Sequence, residues 1–190
     1  SLVYDGKHIS IASFNEDIKK LTIVINGMSK AYAMTGWRIG YAAAHEDIVN
    51  VMGNLQSHTT SNPCSISQYA SVVGLLGDQS GIEEMKKHFE ERRNFMTDTI
   101  NSIKGLSCRK PKGAFYIMVN ISDVKGKSIE NIKINSSLDF AKILLDKGRV
   151  AVIPGIGFGD DDYIRLSYAT SMENIRKGLE RIREIVEKIN

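Results

Sequence analysis

Cysteine, proline and tryptophan are scarce in this chain: two, three and one among 190 residues. Two thiols, Cys64 and Cys108, do not make the disulfide framework of a small secreted domain. Both are expected to be free in a cytosolic protein. No metal-ligand spacing joins them to the four histidines, and no metal site is expected. No apolar run approaches the roughly 18 residues of a membrane-spanning helix, so a membrane partner is not expected. The opening Ser1-Leu2-Val3-Tyr4-Asp5-Gly6-Lys7 does not set a cationic segment before an apolar one, as a secretory signal would. A net charge of +3, carried by scattered basic residues, gives no patch for nucleic acid.

What is present is ordinary for a folded protein. A hydrophobic fraction of 42% suffices for a packed core, and the length allows one domain or two small ones. One stretch organises the rest. Residues 21–25 form an apolar run without alternation, the pattern of a parallel strand covered on both faces. Lys30 then stands in a turn of small residues, and Arg38 follows eight positions later, where a second apolar strand begins at 38–44. A lysine amine attacks a carbonyl when burial or a neighbouring cation favours its neutral form. Arginine offers a planar fork suited to phosphate.

The run Gly27-Met28-Ser29-Lys30, continued by Ala33-Met34-Thr35-Gly36-Trp37-Arg38-Ile39-Gly40, resembles the cofactor-attachment motif of class I aminotransferases, the aspartate aminotransferase superfamily. By that resemblance Lys30 binds pyridoxal 5'-phosphate covalently and Arg38 holds its phosphate. One departure stands out. Many relatives have a phosphate-binding serine three residues before the lysine, where this chain has Gly27, leaving only a backbone amide as donor. The resemblance implies an α/β fold: the C-terminal portion of the fold type I architecture, with part of the large domain at 1–80 and an interdomain helix plus small domain at 81–190. In relatives the carboxylate facing the pyridine nitrogen and the glycine-rich phosphate loop lie upstream. The chain is therefore expected to be a C-terminal fragment, inactive by itself, of a cytoplasmic homodimer.

Further along, Glu46 and Asp47 open a helix with Ile48, Val49, Met52 and Leu55 on one side. Residues 57–64 read as a polar loop, which in the family reaches the neighbouring subunit's site. A helix at 66–76 and a glycine-rich break at 77–81 precede a long helical pattern over 82–103. Strands are expected at 106–109, 113–120, 150–153 and 163–168, and a loop or short helix at 123–134. A helix should start at Ser136 and end at Gly148. The last helix shows Thr170 and Glu173 as a capping box, with Ile175, Leu179, Ile182 and Val186 as its stripe.

Pro154-Gly155-Ile156-Gly157-Phe158-Gly159 is not a dinucleotide fingerprint, because a strand rather than a helix follows. Asp160-Asp161-Asp162 lacks the spaced oxygens of a calcium loop and reads as a solvated turn. By resemblance this segment leads to the family's arginine strand, although Asp162 stands where relatives often have glycine. Arg165, between Ile164 and Leu166, then clamps the substrate α-carboxylate. The implied reaction moves an amino group between an amino acid, with aspartate the leading guess, and a 2-oxo acid. Another fold type I enzyme such as a C–S lyase, or the aminotransferase-like effector domain of a transcription regulator, remains as an alternative.

Overall fold

The computed structural model describes residues 2–190, so readings of Ser1 lie outside it. The chain forms two compact units, Gly6–Met85 and Lys86–Asn190, with Leu2–Asp5 joining the second. The division falls inside a long helix, just beyond the glycine-rich break at 77–81.

In the first unit, Asn15 caps α1 (Glu16–Lys20) by accepting from the Ile18 amide at 2.8 Å. Strand β1 (Val24–Gly27) runs directly into the short helix α2 (Met28–Ala31), a 3-10 turn at Thr35–Trp37 and strand β2 (Gly40–Ala43). The two strands pair antiparallel, Val24 opposite Ala43 and Gly27 opposite Gly40. This corrects the expectation of a parallel strand covered on both faces. Leu21 lies outside the strand at 87% exposure, and Ile25 within it at 80%. An apolar run signals a tendency to be buried, but only what packs against it decides whether it is.

Helix α3 (Glu46–Thr59) follows, with Val49, Met52 and Leu55 all exposed. It runs through the first residues of the expected 57–64 loop, because Ser57 and His58 contain no breaker. The chain turns only at Ser61, whose φ of 61° is left-handed. Helix α4 (Ser65–Leu76) closes against α2: a Cβ on Gly74 would lie 3.2 Å from Met28 Cε and 3.3 Å from Tyr32 Cδ1. Met28 is only 1% exposed, and burial of such a side chain is worth about 1.5–3 kcal/mol.

The second unit holds the larger core. Helix α5 (Ser80–Asn101), which runs through the division, contributes Met96 and Ile100. An antiparallel sheet orders β3 (Ser107–Cys108) and β4 (Tyr116–Asn120) beside two later strands. Where a loop or short helix was expected at 123–134, the chain forms a hairpin of β5 (Ser128–Ile129) and β6 (Ile132–Lys133). Its two-residue turn puts Glu130 and Asn131 at positive φ, without the glycine that would have marked it. Helix α6 (Ser137–Asp146) is capped as expected: Ser136 accepts from the Asp139 amide at 3.1 Å, and Asp139 accepts from the Asn135 amide at 3.0 Å.

Two expectations at the far end of α6 need correction. The left-handed residue is Arg149, with φ of 53°, not Gly148. Gly148 is required for space, since a Cβ there would lie 2.9 Å from the Leu144 carbonyl oxygen. The Val150 amide then donates back to Leu144 rather than to a sheet ladder, so the strand expected at 150–153 shrinks to β7 (Ile153–Pro154). Strand β8 (Tyr163–Ser167) lies between β4 and β7, with Arg165 opposite both Met118 and Ile153. Side chains alternate around Arg165: Ile117, Val119, Ile164 and Leu166 are buried on the inner face, while Arg165 and Met118 share the other.

Helix α7 (Met172–Val186) buries Ile175, Leu179, Ile182 and Val186. Its cap is Ser171, which accepts from the Asn174 amide at 3.2 Å, instead of Thr170. Within the aspartate triplet Asp160 and Asp162 are exposed, as a solvated turn predicts, but Asp161 is half-buried. Asp161 Oδ1 accepts from the amide and hydroxyl of Ser137, at 2.9 and 2.7 Å, and Lys125 Nζ pairs with both Asp161 and Asp162. Ser137 is fully buried, so Asp161 anchors the start of α6.

Candidate functional site

The segment joining β1 to β2 carries two of the three expected site residues. Lys30 lies on α2, one turn past the end of β1, and its side chain is exposed. Arg38 ends the 3-10 turn with φ of 51° and is also exposed. Its Nη1 donates to the Thr35 carbonyl at 3.0 Å, which folds the side chain back over its own turn and leaves the other guanidinium N–H groups free. Ala33, at φ of 53°, is a second left-handed non-glycine residue in this segment. Such backbone costs about 1–3 kcal/mol per residue and persists only where surrounding contacts enforce it.

Those contacts come from the strand pair and from α4. Gly40 has no room for a side chain: a Cβ would lie 2.9 Å from the Asn26 carbonyl oxygen. The Met28 amide donates to Ile39 across the mouth of the segment, at 3.3 Å. The buried Ser67 hydroxyl on α4 donates to the Trp37 carbonyl at 2.9 Å, and Ser71 donates to Ser67 at 2.7 Å. The Gly27 amide, considered above as a replacement donor to phosphate, instead donates to the Asn26 side chain at 2.8 Å. Neither the missing serine hydroxyl nor this amide is therefore available there.

Beside Arg38 opens a cleft of about 560 Å³, lined among others by Trp37, Cys64, Ile66 and Ser67. Cys64 was read only as a free thiol. It is exposed at the start of α4, and backbone hydrogen bonds from Ser67 and Ile66 hold its thiol below the ordinary value. Arg38 lines this cleft and Lys30, eight positions earlier on the same segment, does not; a primary amine and a guanidinium are the donor types that an aldehyde bearing a phosphate ester requires. Pyridoxal phosphate fits these residues by that chemistry.

Arg165 belongs to the second unit and stands on its sheet. Its guanidinium carbon is 4.2 Å from the centre of the Tyr116 ring and 4.4 Å from that of Phe158. Neither aromatic residue was singled out by sequence. The one legible signal was strand periodicity, since Tyr116 pairs with Ser167 and so becomes the same-face diagonal neighbour of Arg165. Among the described residues no group of three or more histidine, cysteine or acidic side chains is placed to hold a metal ion. Among the described residues no helix is long and apolar enough to cross a membrane.

The family described as aminotransferase class I and II matches residues 1–182. Aspartate aminotransferase from Bacillus subtilis is 45% identical over 188 residues, covering 98% of this chain and 47% of the relative. The crystal structure of aspartate aminotransferase from Rhizobium meliloti superposes with a TM-score of 0.95 at 42% identity, over all of this chain and 48% of that one. An aromatic aminotransferase from Pyrococcus horikoshii gives 0.87 at 36% identity, over 98% of this chain and 48% of its own. The chain thus spans about half the length of the relatives it matches, and its α/β fold is the corresponding part of theirs. On this evidence the chain belongs to the class I and II aminotransferase family.

Proposed function

We propose that this chain is the C-terminal portion of a pyridoxal-phosphate-dependent aminotransferase that acts on aspartate and a 2-oxo acid. The observation that carries it is the placement of Lys30 and Arg38 on one braced segment with two left-handed residues, at the mouth of a strand pair. The cofactor, when bound, supplies the electron sink that makes the amino acid's Cα–H bond acidic. The protein supplies position and charge. Lys30 Nζ is the group that would hold the cofactor's carbonyl carbon and, once released, take and return the Cα proton. Arg38 would bind the phosphate through its free N–H groups. Arg165 would bind the substrate α-carboxylate with its planar fork, which fixes the orientation of the Cα–H bond.

Aspartate as substrate is supported by the names of the relatives from Bacillus subtilis and Rhizobium meliloti, while the Pyrococcus horikoshii neighbour is named for aromatic substrates. A cytoplasmic homodimer, with the 60–64 loop contributing to the partner's site, is part of the same proposal. Support for it comes from the free thiols, and from the exposure of that loop beside the exposed Ile66 and Tyr69. Sedimentation of the full-length protein as an active monomer would exclude the dimer.

The decisive test is chemical trapping. Borohydride reduction of the cofactor-treated protein, followed by peptide mass mapping, should place the reduced pyridoxyl group on Lys30 and find none in Lys30→Ala. A modified lysine elsewhere, with Lys30 free, would overturn the assignment.

A further inference from the structure

Arg165 stands among aromatic rings without a carboxylate partner. Among the described residues no acidic group pairs with it; its near neighbours are the Tyr116 and Phe158 rings, at 4.2 and 4.4 Å from the guanidinium carbon. A ring face attracts the flat cation but accepts no in-plane hydrogen bond. Two such contacts restrict the side chain while leaving the guanidinium edge able to meet a planar anion.

The two rings are held differently. Tyr116 is fixed by the β4–β8 ladder. Phe158 comes from the 3-10 turn Gly155–Phe158, which lies outside the sheet and is joined to the start of α6 by a hydrogen-bond relay. The Ile156 amide donates to Ser137 Oγ at 3.3 Å, and Ser137 Oγ donates to Asp161 Oδ1 at 2.7 Å. Lys125 Nζ holds the other carboxylate oxygen at 3.1 Å. The turn is also pressed close, since a Cβ on Gly155 would lie 2.3 Å from the carbonyl oxygens of Asp160 and Tyr163.

We propose that Tyr116 and Phe158 are positioning residues that hold the Arg165 guanidinium edge-on for a carboxylate, and that the Ser137–Asp161 pair is the latch that keeps Phe158 in place. The proposal rests on Arg165 being the carboxylate anchor. It extends that role to a hydroxyl and a carboxylate that touch neither substrate nor Arg165.

The test uses the purified chain, with nitrogen relaxation of the Arg165 Nε–H group and a titration with propionate as the probe. Phe158→Leu keeps the bulk but removes the ring. It should loosen Arg165 and weaken propionate binding about two- to fivefold. Phe158→Tyr should restore both. Ser137→Ala should loosen Arg165 although both rings remain, with the backbone amides of Ile117, Val119 and Ile164 unmoved. Unchanged Nε order and propionate affinity in Phe158→Leu and Tyr116→Leu would overturn the clamp. Unchanged order in Ser137→Ala would overturn the latch. If Phe158→Leu does not fold, Phe158→Tyr compared with Tyr116→Leu decides the clamp by the same two readouts. Propionate binding that survives Arg165→Lys unaltered would refute the anchor role itself, while the relaxation data still judge the clamp.

Discussion

The Ser67 hydroxyl donates to the Trp37 carbonyl oxygen across 2.9 Å, tying α4 to the residue that precedes Arg38. Thirty positions separate them in the chain, and Ser67 is 5% exposed. Removing the hydroxyl should cost about 0.5–1.5 kcal/mol and free the turn that carries Arg38. Ser67→Ala is expected to lower the denaturation midpoint of the first unit slightly and to weaken binding of pyridoxal phosphate, followed by fluorescence of Trp37. A variant with wild-type cofactor affinity would show that this contact does not shape the phosphate site.

The end of α6 offers paired substitutions of opposite sign. Gly148→Ala would bring a methyl group to 2.9 Å from the Leu144 carbonyl oxygen and should destabilise the second unit by about 1–3 kcal/mol. Arg149→Gly removes the left-handed penalty at φ of 53° and should stabilise it, or leave it unchanged, within about 1 kcal/mol. Urea denaturation of both variants checks the pair. Equal effects would mean that the two adjacent positions are constrained alike.

The two thiols should differ in reactivity. Burial pushes the Cys108 thiol up to about 11, with a smaller contribution from the Asp98 carboxylate, whereas Cys64 is exposed and lowered by hydrogen bonds. At neutral pH iodoacetamide should label Cys64 well before Cys108, because the thiolate is the nucleophile. Mass mapping over time settles the order, and equal rates would contradict it.

Alkaline pH should destabilise the second unit. Cys108, Tyr4 and Tyr168 all have ionisations raised by burial in the folded state. A raised value means that the folded state keeps a proton which the unfolded state releases. The stability from Cys108 is therefore complete below the ordinary thiol value of 9.0 and falls as pH rises through about 11. Thermal midpoints between pH 8 and pH 11 should decline, and the decline should be smaller in Cys108→Ala. A flat profile would exclude the linkage.

The isolated chain is not expected to transaminate. It spans about half the length of its relatives, and the Gly27 amide is already committed to Asn26. Arg38 would then be the main anchor in this chain for phosphate under the proposed function, and one charged contact contributes only about 1.5–3 kcal/mol. Aspartate and 2-oxoglutarate turnover by the purified chain with excess cofactor is the measure. Lys30-dependent activity comparable to that of a full-length relative would reverse this expectation.

Much of the local chemistry was legible in the sequence. The spacing of Lys30, Gly36, Arg38 and Gly40 pointed to the family, and the family comparison agrees. The Ser136–Asp139 cap and the apolar stripe of α7 were also legible, since hydrogen bonds and helical periodicity act within a few residues. Other features depended on partners distant in the chain. The pattern at 21–25 could not report that β1 would pair antiparallel or leave Ile25 exposed, because burial belongs to the neighbours. Asp161 read as solvent-facing until the fold brought Ser137 and Lys125 to its carboxylate. Nothing in the short pattern Ile164-Arg165-Leu166 showed the rings that meet Arg165, until register placed Tyr116 beside it and the Gly155–Phe158 turn brought Phe158 to it. Residue type and short spacing are written along the chain, so the sequence alone determined the family resemblance of the Lys30–Arg38 segment and the Ser136 cap. Which charge meets which ring is a long-range contact, and tertiary structure alone decided it.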